Sequence, residues 1–241
     1  MEEKERLAPV EHWLFPAVMT ALALVLLFHM LRLVSLEVEP RWNFGVLFAL
    51  PAAAFGAVTW ATARGKLREK TSLIVTALLI AVSLAELFFS MMAFAFNSAV
   101  EPVTDPKYYP RAVEQVTHKL TTAFPDEVPE GARDVSFTYN TPFLQGGTLL
   151  RLGYTADTSD IQSAVAGFGD KVIWTGTIND TEADAYFLDA FNDLPVGMEE
   201  DAVFYAFYGK PSQPHDWNHG QRSMAIVNAE ETEIVYQAES W

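Results

Sequence analysis

Two groups of residues have the types and spacing that chemistry needs. The first is His215-Asp216-Trp217-Asn218-His219. Two imidazoles four residues apart, with a carboxylate between them, can hold zinc, and a zinc-bound water would make His215, Asp216 and His219 the centre of a metal-dependent hydrolase. On a helix the spacing of four would put both rings on one face. Pro211, Pro214 and Gly220 crowd the segment and favour a loop instead. The helical HExxH pattern of zinc hydrolases is absent, so the plainer reading is a solvated loop with a packing Trp217.

The second group surrounds Glu86. Thr76, Ser83, Ser90 and Asn97 recur every seven residues in an apolar run, and Glu86 falls three after Ser83. That period keeps a stripe turned towards a partner helix. A carboxylate ten residues inside the outer end of such a run lies roughly 15 Å deep at 1.5 Å per residue. There it must be protonated, paired or close to water. His29 is the nearest ionisable candidate, and Arg32 can help by snorkelling. Glu86, Ser83, Ser90 and His29 would form a proton-sensitive membrane site. The plainer alternative is hydrogen bonding that joins helices, which we favour, since three helices are few for a carrier and no inverted repeat is visible.

The elements that must position these residues follow from hydropathy. Residues 12–34, 43–63 and 71–96 are apolar runs of 21 to 26 residues, against roughly 20 needed to cross a bilayer core. Trp13, Trp42 and Trp60 stand near their ends, where indole rings favour the headgroup layer. The first run is too long for a cleaved signal peptide, and no small-x-small site precedes the Ser35–Arg41 loop. Gly45, Ala49, Ala53, Ala57 and Ala61 predict a ridge of small residues on the second helix, matched by Ala77, Ala81 and Ala85 on the third.

Charge sets the orientation. Arg64, Lys66, Arg68 and Lys70 crowd the link between the second and third runs, whereas the first link has only Arg41. Basic loops stay in the cytoplasm. Residues 1–11 are therefore expected inside, and the linker 97–107 and a domain of residues 108–241 outside, at the plasma membrane. Residues 1–99 are electrically neutral, so the whole net charge of −15 belongs to the rest. So acidic a surface repels nucleic acid and suits a basic partner. The absence of cysteine rules out disulfides, thiolate metal sites and cysteine nucleophiles.

In residues 108–241, Pro110–Phe124 reads as one helix after a stiff linker holding Pro102 and Pro106. Alternation predicts strands around Val135–Tyr139 and Leu150–Tyr154, Val172–Trp174 is a short third candidate, Val203–Tyr208 reads as a further strand, and Met224–Asn228 and Glu233–Ala238 flank a four-residue turn as a hairpin. Val203–Tyr208 is apolar on both faces and should be central. Ser159–Phe168, capped by Asp157 or Thr158, and Asp180–Phe191 read as helices, and Lys210–Gln221 as a long exposed loop. The expected fold is three transmembrane helices plus a C-terminal α+β domain, with five or six strands in a mainly antiparallel sheet covered on one face.

No serine-nucleophile elbow, phosphate loop or calcium loop occurs, and no cofactor is implied. The runs Glu199-Glu200-Asp201 and Glu230-Glu231 read as solvated turns. Trp241 either packs back on the domain or belongs to a contact surface, and packing back is the favoured reading. The leading functional reading is a membrane-anchored binding or interaction domain without catalysis. Its partners would be the lipid bilayer and a basic or small-molecule ligand or another membrane protein.

Phe124-Pro125, Pro129, Ala132, the run Pro142-Phe143-Leu144-Gln145-Gly146-Gly147, and Ile234-Val235-Tyr236 with Glu239 and Trp241 form a further pattern. It resembles one found in uncharacterised, membrane-anchored proteins of Gram-positive bacteria, over roughly the C-terminal half of the chain. The resemblance implies a bacterial surface domain and carries no activity or site residue with it.

Overall fold

The computed structural model describes residues 8–141, 147–177, 201–210 and 220–241. The chain divides into two units, Met1–Ser98 and Ala99–Trp241. Each follows a different building rule.

Away from water every backbone amide must bond within the protein, and a helix does this locally. The first unit is accordingly helical: α1 (Val10–Leu36), α2 (Trp42–Ala63) and α3 (Glu69–Val100). All three are long and apolar enough to cross a membrane. Helix α3 continues through Asn97–Val100, which the sequence reading put in the linker. Nothing before Pro102 removes a backbone donor or forces the preceding residue out of the helical region.

Backbones of α1 and α2 approach closely as a hairpin. A Cβ on Gly45 would stand 3.0 Å from Leu31 Cδ2, and the Thr20 and Thr59 hydroxyls meet at 2.9 Å. The expected alanine ridge is not the interface: Ala53 and Ala57 are exposed, as are Ala77, Ala81 and Ala85. The buried face of α2 runs instead through Phe44, Phe48, Ala52, Phe55, Val58 and Thr62. Steps of four drift about 40° each around a helix of 3.6 residues per turn, so a ridge of five leaves any one interface. Helix α3 joins through side chains. Leu87 and Phe94 pack on Val34, Phe44 and Phe48, with the Phe94 ring edge-on to Phe44 at 5.4 Å between centroids.

The second unit is a six-stranded antiparallel sheet of β1 (Arg133–Asn140), β2 (Thr148–Thr155), β3 (Trp174–Thr177), β4 (Val203–Lys210), β5 (Gln221–Val227) and β6 (Glu233–Ser240). Its order is β1-β2-β6-β5-β4-β3. Strand β4 is paired on both sides, as its two apolar faces require, but β6 and β5 take the middle. Val103 bridges Tyr139 through two backbone bonds of 2.9 Å, so part of the linker borders β1. Gly147 leads into β2 where only glycine fits, since a Cβ would fall 2.0 Å from the Ser240 carbonyl oxygen.

The helix expected over Pro110–Phe124 is broken into α4 (Tyr109–Gln115) and α5 (His118–Thr121). Val116, extended at φ −80° and ψ 145°, separates them. The break lets Ala112, Val116, Leu120 and Phe124 all reach the core. Helix α6 (Thr158–Ala166) starts after Asp157, whose carboxylate pairs with Arg133 at 2.9 Å and gives no capping bond. Tyr109 meets Phe137 edge-on, and Phe168 packs on Tyr205, Phe207 and Tyr236. The opposite face of the sheet is buried too, around Phe204, Ala206, Met224, Ile226 and Val235, with Trp174 beside them. Coverage of both faces corrects the one-face expectation, and consecutive apolar residues in β5 and β6 are its cause. The expected helix Asp180–Phe191 lies outside the described residues. So does the expected loop, apart from its ends Lys210 and Gln221, which belong to β4 and β5.

Candidate functional site

Every buried residue of α3 carries a hydroxyl: Ser72, Thr76, Ser83, Ser90 and Ser98. The seven-residue stripe therefore faces inward, and large apolar side chains such as Leu78, Val82 and Phe89 occupy the exposed positions. Helical backbone can absorb such groups, because a serine or threonine can bond the carbonyl one turn back. Thr76 does so to Ser72 at 2.8 Å, and Thr62 on α2 does so to Val58 at 2.8 Å. Thr62 and Ser72 then join the two helices with their hydroxyls 2.9 Å apart. At the other end of the stripe, Arg41 donates to the Asn97 side chain.

Glu86 lies in this stripe. Its Oε1 accepts the Ser90 hydroxyl at 2.8 Å. Its Oε2 is shielded from solvent and has no hydrogen-bond partner. No other ionisable residue occurs in α2, or in α3 beyond Lys70. On α1, Arg32 and His29 are exposed, and the His29 ring lies edge-on to Phe28 at 5.7 Å. Among the described residues no ion pair joins Glu86 to either. The structure thus brings Glu86 and Ser90 together and leaves His29 out of the bond. Ser83 lines a largely apolar cleft of about 120 Å³ with Met19, Leu22, Phe55 and Leu87. Chemically, this arrangement offers one unfilled acceptor in an apolar setting, room for one donated hydrogen bond.

The second unit has a polar network that the sequence reading missed. Arg222 stands opposite Glu239 on neighbouring strands, and Arg151 opposite Gln237. Arg222 Nε donates to Glu239 Oε2 at 2.7 Å, and its NH2 group lies 2.5 Å from the same oxygen. Gln237 donates to Glu239 Oε1, and Arg151 Nε donates to Gln237 Oε1 at 3.0 Å. Gln237 is fully buried and Arg222 nearly so, at 7 % exposure. The Trp241 ring stacks on the Arg222 guanidinium at 5.1 Å, and its backbone N–H donates to Gly220. The terminal tryptophan packs back, held by a cation–π contact. Charged residues at matched positions in two otherwise apolar strands were the signal, legible only once the register was known.

Across the sheet, Tyr109 donates its hydroxyl to Pro125 at 2.7 Å. Burial pushes Tyr109 and Tyr236 well above the usual tyrosine range, and the nearby Tyr154 adds to both shifts. Among the described residues no group of three or more His, Asp or Glu side chains is placed to hold a metal. His215, Asp216 and His219 lie outside the described residues. Comparison with family models, with curated proteins and with solved structures returned no match to this chain.

Proposed function

We propose that the chain is a multi-pass plasma-membrane protein that holds its sheet unit outside the cytoplasm as a binding or interaction domain, without catalysis. One observation carries the membrane part. Of the described large apolar side chains that stand exposed, all but Ile173 lie on α1, α2 or α3. A water-facing surface of that kind would associate or precipitate, whereas lipid tails accept it. Trp42 and Trp60, exposed at opposite ends of α2, suit the two headgroup layers. The basic Arg64–Lys70 loop supports the cytoplasmic side for that end.

The binding part is supported by how the second unit uses its reactive groups. Arg222, Glu239, Gln237 and Arg151 engage one another, and the buried tyrosines serve the core. The net charge of −15 suits a basic partner. A bacterial surface setting rests on the sequence resemblance alone. Protease added to intact cells is expected to digest residues 99–241 while a tag in the Arg64–Lys70 loop stays protected. The reverse pattern overturns the orientation. Zinc analysis of the purified full chain separates binding from hydrolysis: one zinc per chain, lost in His215→Ala, would favour the metal-dependent hydrolase.

A second reading, a proton-sensitive function centred on Glu86, is favoured by its unpartnered Oε2. Glu86→Gln tests it: if assembly and any pH-dependent behaviour are unchanged by the substitution, that reading goes.

A further inference from the structure

Four cations stand on the short connection between α2 and α3: Arg64, Lys66, Arg68 and Lys70, all exposed. The connection is tightly turned. Lys66 N and Leu67 N both donate to the Ala61 carbonyl, at 2.8 and 3.3 Å, and Gly65, just before Lys66, adopts a φ of +68°. The four charges are thus gathered at one end of the bundle. Arg64 and Lys66 stand at the C-terminal end of α2, where the helix dipole also favours cations, whereas Arg68 and Lys70 stand at the N-terminal end of α3, where it opposes them.

Lys66, Arg68 and Lys70 make no ion pair with a described carboxylate. The one acid in the segment, Glu69, instead lies 3.4 Å from His12 Nε2. Trp60 is 54 % exposed, and the Lys66 ammonium lies over its ring at 4.4 Å. An indole exposed at the end of an apolar helix marks the depth of the headgroup layer. It carries Lys66 with it to the level of the phosphates.

We propose that the Arg64–Lys70 connection binds the phosphate groups of anionic phospholipid headgroups. The inference rests on the membrane reading above but not on which leaflet faces the cytoplasm. Clustered lysine and arginine next to a span attract anionic lipid through charge, and Arg68 can hold a phosphate with paired N–H donors. The occupant is a lipid headgroup because Trp60 and the two flanking spans fix the charges in the lipid plane.

The test uses the full chain in nanodiscs, which leave both faces open. One set holds phosphatidylcholine alone, and the other includes phosphatidylglycerol. A water-soluble amine-acylating reagent reads the exposure of Lys66 and Lys70, with Lys107 and Lys171 of the sheet unit as internal references. In discs with phosphatidylglycerol, Lys66 and Lys70 should be acylated at least about fivefold more slowly relative to the references, the factor expected for about one charge–surface interaction. High salt or Arg64→Gln with Arg68→Gln should reduce that protection. Equal acylation in both discs overturns the proposal while leaving the membrane reading intact. Equal protection by inorganic phosphate added to phosphatidylcholine discs also overturns it, in favour of a soluble anion. A chain that enters neither disc sinks the membrane reading and the proposal together.

Discussion

In α3 the buried polar groups are Ser72, Thr76, Ser83, Ser90 and Ser98; in the sheet they are Arg222, Ser223 and Gln237. The helical set is neutral, and a hydroxyl in it can turn to a helix carbonyl one turn back, as Thr76 does, although Ser98 Oγ is buried without a partner. The strand set bonds to partners outside its own strand. Arg222 reaches Glu239 on the next strand, and Ser223 donates to the Leu120 carbonyl 103 residues away. Losing a partner in the helical unit therefore leaves a rearrangement open, whereas in the sheet it strands a buried group. Apolar surroundings alone do not set the value of a buried polar contact; the availability of a second partner does.

The largest effect should come from stranding a charge. Arg222→Ala leaves Glu239 in a site where its side chain is 14 % exposed. A loss of about 3–5 kcal/mol in stability is expected, the range for breaking a buried pair. Arg222→Met together with Glu239→Gln removes both charges and keeps an acceptor for Gln237. That double variant should recover most of the loss in chemical denaturation followed by tryptophan fluorescence. If the single and double variants are equally unstable, charge stranding is not the cause.

Alkaline titration tests the same idea with tyrosine. Burial holds the Tyr236 and Tyr109 protons on in the folded chain, while the unfolded chain releases them near the ordinary value of 10.0. Their contribution is complete below pH 10. As pH rises beyond that, the unfolded state binds fewer protons than the native state, and stability falls until the folded groups ionise. Tyr236→Phe should make this fall shallower. An unchanged slope would show that Tyr236 ionises freely in the folded protein.

A smaller loss is expected at the β5–β6 turn. The Asn228 side-chain oxygen accepts the backbone N–H groups of Thr232 and Glu233, both at 2.8 Å. It holds the turn in which Glu231 takes a φ of +54°. Asn228→Ala removes both bonds and should cost about 1–2 kcal/mol, at about 1 kcal/mol net for each. Asp at the same position, which keeps the acceptor, should cost less when the two are compared in urea denaturation.

How far these features could be read in advance follows from their range along the chain. The inward stripe of α3 was legible because a seven-residue period is local, and so were β1 and β2 from alternation and β4, β5 and β6 from their apolar runs and turn, whereas β3 lies at Trp174–Thr177 and shares only Trp174 with the strand expected at Val172–Trp174. The α1–α2 interface was legible in kind but not in detail. Small residues do permit close approach, but helix drift keeps only Gly45 of the expected ridge against α1, turns Ala53 and Ala57 outward, and brings in Thr59 instead. The Arg222–Glu239–Gln237–Arg151 network was not legible, because a charge in a strand reads as solvent-facing until pairing shows an opposite charge beside it. The Glu86 stripe was recognised, and its bond to Ser90 is a one-turn contact of the sort spacing predicts. Its exclusion of His29 depends on how α1 is rotated, which the apolar pattern of α1 leaves open.

The smallest effect belongs to the helical unit and completes the comparison. Thr62 commits its proton to the Val58 carbonyl, so Ser72 is the donor across the 2.9 Å contact. Thr62→Val removes that acceptor while keeping the side-chain shape, and Ser72, fully buried, can turn to the Arg68 carbonyl one turn back. A loss of about 0.6 kcal/mol is expected, the average for hydrogen bonds between membrane helices. Ser72→Ala should cost about the same, and the double variant little more than either single one, because both remove one shared contact. Refolding from mixed detergent micelles, measured for all four combinations, gives the coupling directly. A coupling above about 2 kcal/mol would exceed the largest value typical of such bonds. It would mean that Ser72 has no alternative acceptor, and that the α2–α3 contact resembles the sheet network after all.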